Sequence, residues 1–318
     1  MILLSTISKT TLIESGVPEA AISDCGIVFR RGKTVKRKVP ATIVTYSREE
    51  HHLDWCMMTK MKVVMTVVLV LAGCALMPAS DNPSSPGAPV LVELFTSEGC
   101  STCPPADALL QKLDREQPIA GVQVIVLSEH VDYWNHLGWS DPYSSKFFSD
   151  RQSDYAQHFS LGSVYTPQMV VDGTAELTGG DSQLAGQAIE KARNQPKISV
   201  RILSASTRTP AILSVHVEAD PLTGSSARER AEVWLAVALD HAESQVSGGE
   251  NGGRHLSHVA VVQSLTKAGD LKNGKSLDRE VEVKLNPHTD AKNLRVIAFV
   301  QQSGPGHVLG AAMQRVGE

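Results

Sequence analysis

Cysteine is scarce in this chain, with 5 in 318 residues. Cys25, Cys56 and Cys74 lie near the start, so beyond them only Cys100 and Cys103 remain, which excludes a disulfide-braced scaffold. Aromatic residues are few, at 5%, and no stripe of basic and aromatic side chains runs through the body. A nucleic-acid surface is therefore not expected. The one basic run, "RRGKTVKRK" (Arg30–Lys38), stands far upstream. No apolar stretch approaches the roughly 20 residues that a bilayer span needs, and no internal repeat is visible. What is present is ordinary: 42% hydrophobic residues, 20% charged residues and a formal net charge of −4. That describes a water-soluble body long enough for two domains.

The stretch "MMTKMKVVMTVVLVLAGCALMPAS" has Lys60 and Lys62 ahead of a short apolar run, Val63–Ala72, and a processing site after it. This is the layout of a secretory signal peptide over residues 57–79. Such a segment belongs at an initiator methionine, so a start at Met57, Met58 or Met61 is expected, with 1–56 a doubtful upstream extension. Leu71-Ala72-Gly73-Cys74 resembles a bacterial lipobox, which implies lipid on Cys74. Ala75 follows in place of the aspartate of inner-membrane retention, implying export to the periplasm and anchoring to the outer membrane. The alternative is cleavage near Ala79 and a soluble product. Residues 80–88 read as a flexible tether.

From Pro89 to about Asn194, strands and helices alternate. "VLVELF" is an apolar strand, "PPADALLQKLD" a helix with an apolar face, and "VQVIVLS" a second strand. A long loop, "EHVDYWNHLGWSDPYS", leads to a helix over about 145–159. "PQMVVDG" and "TAELTG" form a hairpin, and a last helix follows with Asp181 placed to cap it. After Pro196 only short β-rich runs appear, from "KISVRILS" to "VLGAAM". They predict an antiparallel sandwich.

The β-α-β-α-β-β-α order, with Cys100-Ser101-Thr102-Cys103 between the first strand and first helix, resembles the thioredoxin fold. Thr166-Pro167, just before the third strand, occupies the slot of the cis-proline in thioredoxin-like proteins. More closely, "VELFTSEGCSTCPPADALL", "HVDYWNHLGWSDPYSS", "YTPQMVVDG", "GENGGRHLSHVAVV" and "VIAFVQ" resemble the thioredoxin-like family known as domain of unknown function 1223. The expected architecture is an α/β thioredoxin-like domain over 89–195, followed by an all-β antiparallel sandwich over 196–318.

The resemblance implies that Cys100 is the attacking thiol and Cys103 the resolving thiol of a periplasmic thiol–disulfide oxidoreductase. Its partners would be protein thiols and disulfides and a further redox protein, and its only redox group the Cys100–Cys103 disulfide. Pro104-Pro105 requires the helix to begin at Cys103 with Pro104 at N1, where proline is tolerated. Glu93, in the apolar first strand, matches the buried proton acceptor of thioredoxins, while Glu98 is expected to be solvated. His130, Asp132, Tyr133, Trp134, Asn135, Trp139 and Thr166 are candidates for a substrate groove. Glu250, Asn251, Arg254, His255 and His258 are candidates for the contact between domains. Two alternatives stay open: a Cu(I) site made by Cys100, Cys103 and His130, since thiolate and imidazole suit that ion, and a binding module with an inert disulfide.

Overall fold

Strand β1 (Ala88–Thr96) is buried at every position from Val90 onward, as its mostly apolar run around Glu93 leads one to expect. In the computed structural model, which describes residues 87–222, 230–272 and 274–317, it lies at the centre of the first half of the fold. It pairs in parallel with β2 (Val122–His130) and antiparallel with β3 (Gln168–Val171). The expected extension over 1–56, the signal peptide over 57–79, the lipid site Cys74 and nearly all of the 80–88 tether lie outside the described residues; Ala88 already belongs to β1.

Helix α1 (Pro104–Glu116) connects β1 to β2. Cys103 is its N-cap and the prolines occupy N1 and N2, where a missing N–H costs no intrahelical bond. Ala106, Leu110 and Leu113 of α1 pack on Val90, Val92 and Leu94. Helix α2 (Lys146–His158) begins where the Ser145 hydroxyl accepts from Phe147 N. It covers the opposite face, with Phe148 against Leu91, Ile125 and Leu127. β3 turns at Asp172-Gly173, both at positive φ, into β4 (Ala175–Thr178). Helix α3 (Ser182–Ala192) is capped by Asp181, which accepts from Gln183 N and Leu184 N.

The remaining chain is almost all strand: β5 (Val200–Thr209), β6 (Ile212–Ala219), β7 (Ala231–Gln245), β8 (His255–Leu271), β9 (Leu277–Lys284), β10 (Leu294–Gln302) and β11 (Val308–Arg315).

The expected architecture is overturned here. Among the described residues 45% are in strands and 19% in helices, so the molecule is mostly β, not an α/β thioredoxin-like domain with a separate sandwich behind it. One mixed sheet of eight strands, in the order β11-β10-β7-β8-β2-β1-β3-β4, runs through both halves. The described residues form one compact unit. The join is between β8 and β2, in parallel at Ser128↔Val261. Its physical reason is the free edge of β2, an unpaired ladder flanked by apolar side chains, which the long β8 covers. A second sheet, β5-β6-β9, packs Leu213, Val215 and Val217 on Val233, Leu235, Leu294 and Val296 of the large one. No described helix is long and apolar enough to cross a membrane.

Candidate functional site

The turn from β1 into α1 carries the two cysteines. Cys103 N donates to Cys100 O at 3.2 Å, which folds the loop back on itself. This brings the Cα atoms to 5.4 Å, and the sulfurs are joined as a disulfide. Both cysteines are fully buried, whereas Ser101 and Thr102 between them are exposed. The cover is the β7–β8 loop. The Asn251 side-chain amide donates to Glu98 O at 2.8 Å and to Cys100 O at 2.9 Å. Ser101 N donates to the Glu250 carboxylate at 3.1 Å, and the Ser101 side chain, followed by that N–H, holds the carboxyl below the usual carboxylate range. Close backbone approach fixes the loop from behind, because a Cβ on Gly248 would sit 2.3 Å from Gly138 O.

Beneath the cysteine turn lies a buried cluster of charged groups. His258 Nε2 is 3.5 Å from Glu98 Oε1, and its Nδ1 is 3.8 Å from Asp107 Oδ2. The His258 ring meets His130 edge-on at 4.8 Å between centroids, and His130 Nδ1 pairs with Asp141 Oδ2 at 2.7 Å. Glu98 Oε1, Asp107 Oδ1, His130 Nε2 and both nitrogens of His258 have no hydrogen-bond partner in the protein. Burial opposes the His258 imidazolium, but Asp107 and Glu98 outweigh it and its pKa is pushed up to about 9. Burial presses Glu98 toward neutrality, yet His258, Ser244 and Trp139 hold its carboxyl below the usual range. Glu98 is thus an enclosed anion and not the solvated residue expected.

Thr166-Pro167 is cis, as expected. Trp134 links that segment to the cysteines: its Nε1 donates to Thr166 Oγ1 at 2.8 Å, and a Cβ on Gly99 would lie 3.0 Å from Trp134 Cβ. Tyr133 donates to Gln152 at 3.1 Å, and Asp132 accepts from Ser149 at 2.6 Å. Both side chains are half-buried and tied down to α2. His130 is not on a groove at all but fully buried.

Glu93 occupies the other face of the sheet. Arg151 Nε donates to its Oε1 at 2.9 Å and Tyr155 OH to its Oε2 at 2.5 Å, and both come from α2. The expected role behind Cys103 is therefore not the one its partners give it. Strand alternation sends residues 91, 93 and 95 toward α2, while α1 packs on 90, 92 and 94. The Cu(I) donor set does not converge either. Both sulfurs are spent on the disulfide, and His130 Nδ1 is engaged by Asp141. Among the described residues the donors that do converge are His216, Glu218 and Asp278, on the three-stranded sheet.

Asp107 and Asp141 escaped the sequence reading, and His258 was assigned only to an interface. A signal for His258 existed: in "HLSHVAVV" the alternation Leu256, His258, Ala260 puts it on the inward face.

No curated protein is detectably similar to the chain in sequence. Among solved structures it is similar to protein AGR_C_4864 from Agrobacterium tumefaciens, at 25% identity and a TM-score of 0.57, over 74% of this chain and 96% of that one. It is similar in fold to HBP35 of Porphyromonas gingivalis, at 17% identity and a TM-score of 0.57, over 73% and 76% of the two chains. The family model described as protein of unknown function (DUF1223) matches residues 91–301, and the chain belongs to that family.

Proposed function

We propose that the protein is a thiol–disulfide oxidoreductase, exported to the periplasm and anchored there by lipid on Cys74. Its substrates are protein thiols and disulfides. The observation that carries this is the oxidised Cys100–Cys103 pair at the N-terminal end of α1, with a two-residue bridge open to solvent. A helix start favours thiolate over thiol through its free amides and dipole. The proposal rests on the cysteine pair and not on a fold class.

In exchange, an external thiolate attacks Cys100 Sγ. The Sγ–Sγ bond breaks, Cys103 leaves as thiolate, and a mixed disulfide remains on Cys100. A second thiol of the partner then displaces Cys100, so the partner is oxidised by two electrons and the pair is reduced. Because Cys100 is buried, the Glu250–Asn251 strap must yield before the attack.

A second reading, a binding module braced by an inert disulfide, is favoured by that same complete burial of both cysteines. Expression of Cys103→Ala in a periplasm separates the two. The oxidoreductase accumulates covalent partners on a non-reducing gel, and Cys100→Ala accumulates almost none. An inert brace traps nothing in either variant and resists dithiothreitol until the protein unfolds. Mass spectrometry of the mature N-terminus tests the anchor, with lipid on Cys74 expected; an unmodified terminus beyond Ser80 rules it out.

A further inference from the structure

The three-stranded sheet has a packed face and an open one. Leu213, Val215, Val217 and Ala219 of β6 point into the core, so His216 and Glu218 between them lie on the outer face. On β9, an edge strand, the residues opposite these two are Glu280 and Asp278. Glu218 therefore stands directly across from Asp278. Like charges placed opposite one another destabilise a strand pair, and here an imidazole stands beside them. His216 Nε2 is 2.7 Å from Asp278 Oδ1. One donor atom from each of His216, Glu218 and Asp278 lies within 4.8 Å of the other two. The neighbouring groups are already engaged or act in support. Arg208 and Ser214 both donate to Glu280, which takes that carboxylate out of the donor set. Arg201 Nε donates to Glu218 Oε2 at 3.0 Å and so orients the Glu218 carboxylate.

We propose that His216, Glu218 and Asp278 bind a divalent first-row transition ion, with zinc as the species that fits. The donor types decide the class. An imidazole nitrogen argues against calcium and magnesium, which take oxygen ligands. The lack of a thiolate argues against Cu(I). One nitrogen and two carboxylate oxygens, with solvent on the open side to supply a fourth ligand, suit tetrahedral zinc. With bonds of about 2.0–2.2 Å, the donors of such a site lie roughly 3.4 Å apart. The His216–Asp278 separation of 2.7 Å is below that value and the 4.8 Å limit of the set is above it, so small side-chain rotations close the site. Binding exchanges the His216–Asp278 hydrogen bond for two metal bonds, and any proton on His216 Nε2 leaves to solvent. The ion places positive charge between the facing carboxylates and clamps edge strand β9 to β6 from outside. The site stands on the sheet that does not carry the cysteines and is independent of their chemistry.

The test is calorimetric titration of zinc chloride into the full chain after dialysis against a chelator. The wild type is expected to show a saturable site that depends on these residues. Loss of a partner that merely supports a metal ligand costs roughly 10–100-fold in affinity, so His216→Ala and Asp278→Asn should each weaken the site by at least about tenfold. Glu243→Gln alters the exposed His241–Glu243–His255 group on the other sheet and should leave the site unchanged. Chemical unfolding gives a second reading. At free zinc about one hundred times Kd, the folded-to-unfolded ratio of the wild type should rise about a hundredfold, and that of Asp278→Asn about tenfold or less. The Asp278 side chain is 68% exposed, so its amide variant decides alone if His216→Ala does not fold. A wild type without saturable zinc binding overturns the site. So does an affinity that is the same in Asp278→Asn as in the wild type, which leaves the cluster a surface ion pair. An equal loss in Glu243→Gln assigns the zinc to scattered surface histidines and overturns the site as well.

Discussion

Two buried charge clusters lie on opposite faces of the β1–β2 ladder, and they are built differently. Under α2, Arg151 engages Glu93 through two nitrogens, Tyr155 and Gln301 complete the ring, and both oxygens of Glu93 accept hydrogen bonds. Glu129 joins at 3.5 Å with neither carboxylate oxygen hydrogen-bonded, and burial raises its carboxyl well above the usual range. Beneath the cysteine turn the contacts of His258 are long and several atoms have no partner. The Arg151–Glu93–Tyr155–Gln301 part is closed by short hydrogen bonds and ties together β1, α2 and β10. The cluster around His258 has only long contacts, and it is the one reached from the cysteine turn through Glu98 and Asp107.

The sharpest way to break this contrast is Arg151→Met. It strips the counter-charge from buried Glu93, so a loss of about 3–5 kcal/mol is expected in chemical unfolding. The rate at which dithiothreitol reduces the Cys100–Cys103 disulfide, measured well below the transition, should not change. A changed rate would mean that the α2 cluster also serves the cysteines.

Next in size is a pH effect. His258 is raised in the folded state, so the stability it contributes is fully present below its unfolded pKa of about 6.5. That contribution is lost as pH rises through the folded value of about 9. It amounts to about 3 kcal/mol, read as the stability difference between wild type and His258→Gln. A difference constant across that window would show that His258 carries no charge in the fold. Glu98 works oppositely: its carboxyl is depressed, so its contribution is lost as pH falls below the usual carboxylate range.

Asn251→Ala sharpens the contrast at the strap. It frees two buried carbonyls, which costs about 1–3 kcal/mol, and it should speed alkylation of reduced Cys100 by iodoacetamide. Unchanged alkylation would place the barrier to access elsewhere. The smallest effect is expected from Lys146→Ala, since both the lysine and its partner Asp150 are well exposed. There the change in stability should stay within about 0.5 kcal/mol, a baseline against which the buried clusters are measured.

Much of the local structure was legible. Pro104-Pro105 could only open a helix, and α1 opens there. Asp181 could only cap, and it does. "AILSVHVEA" and "LRVIAFVQQ" alternate or run apolar as strands, and they are β6 and β10. The candidate site was legible in its cysteines and in the cis Thr166-Pro167 bond. Glu93 misled because an acid in an apolar strand announces that it is buried without saying on which face its partner waits.

The sequence by itself located the helices and most of the strands, and it left Cys100 and Cys103 as the pair able to join beyond the first 80 residues. Periodicity and capping are local, and each is written within a few neighbouring residues. Only the tertiary structure decided that β8 would dock on β2 and merge two expected domains into one sheet. It alone brought His258 between Glu98 and Asp107, and Arg151 to Glu93. Those pairings depend on which free edge and which open face meet in space, and apolar alternation specifies that a face is covered without specifying what covers it.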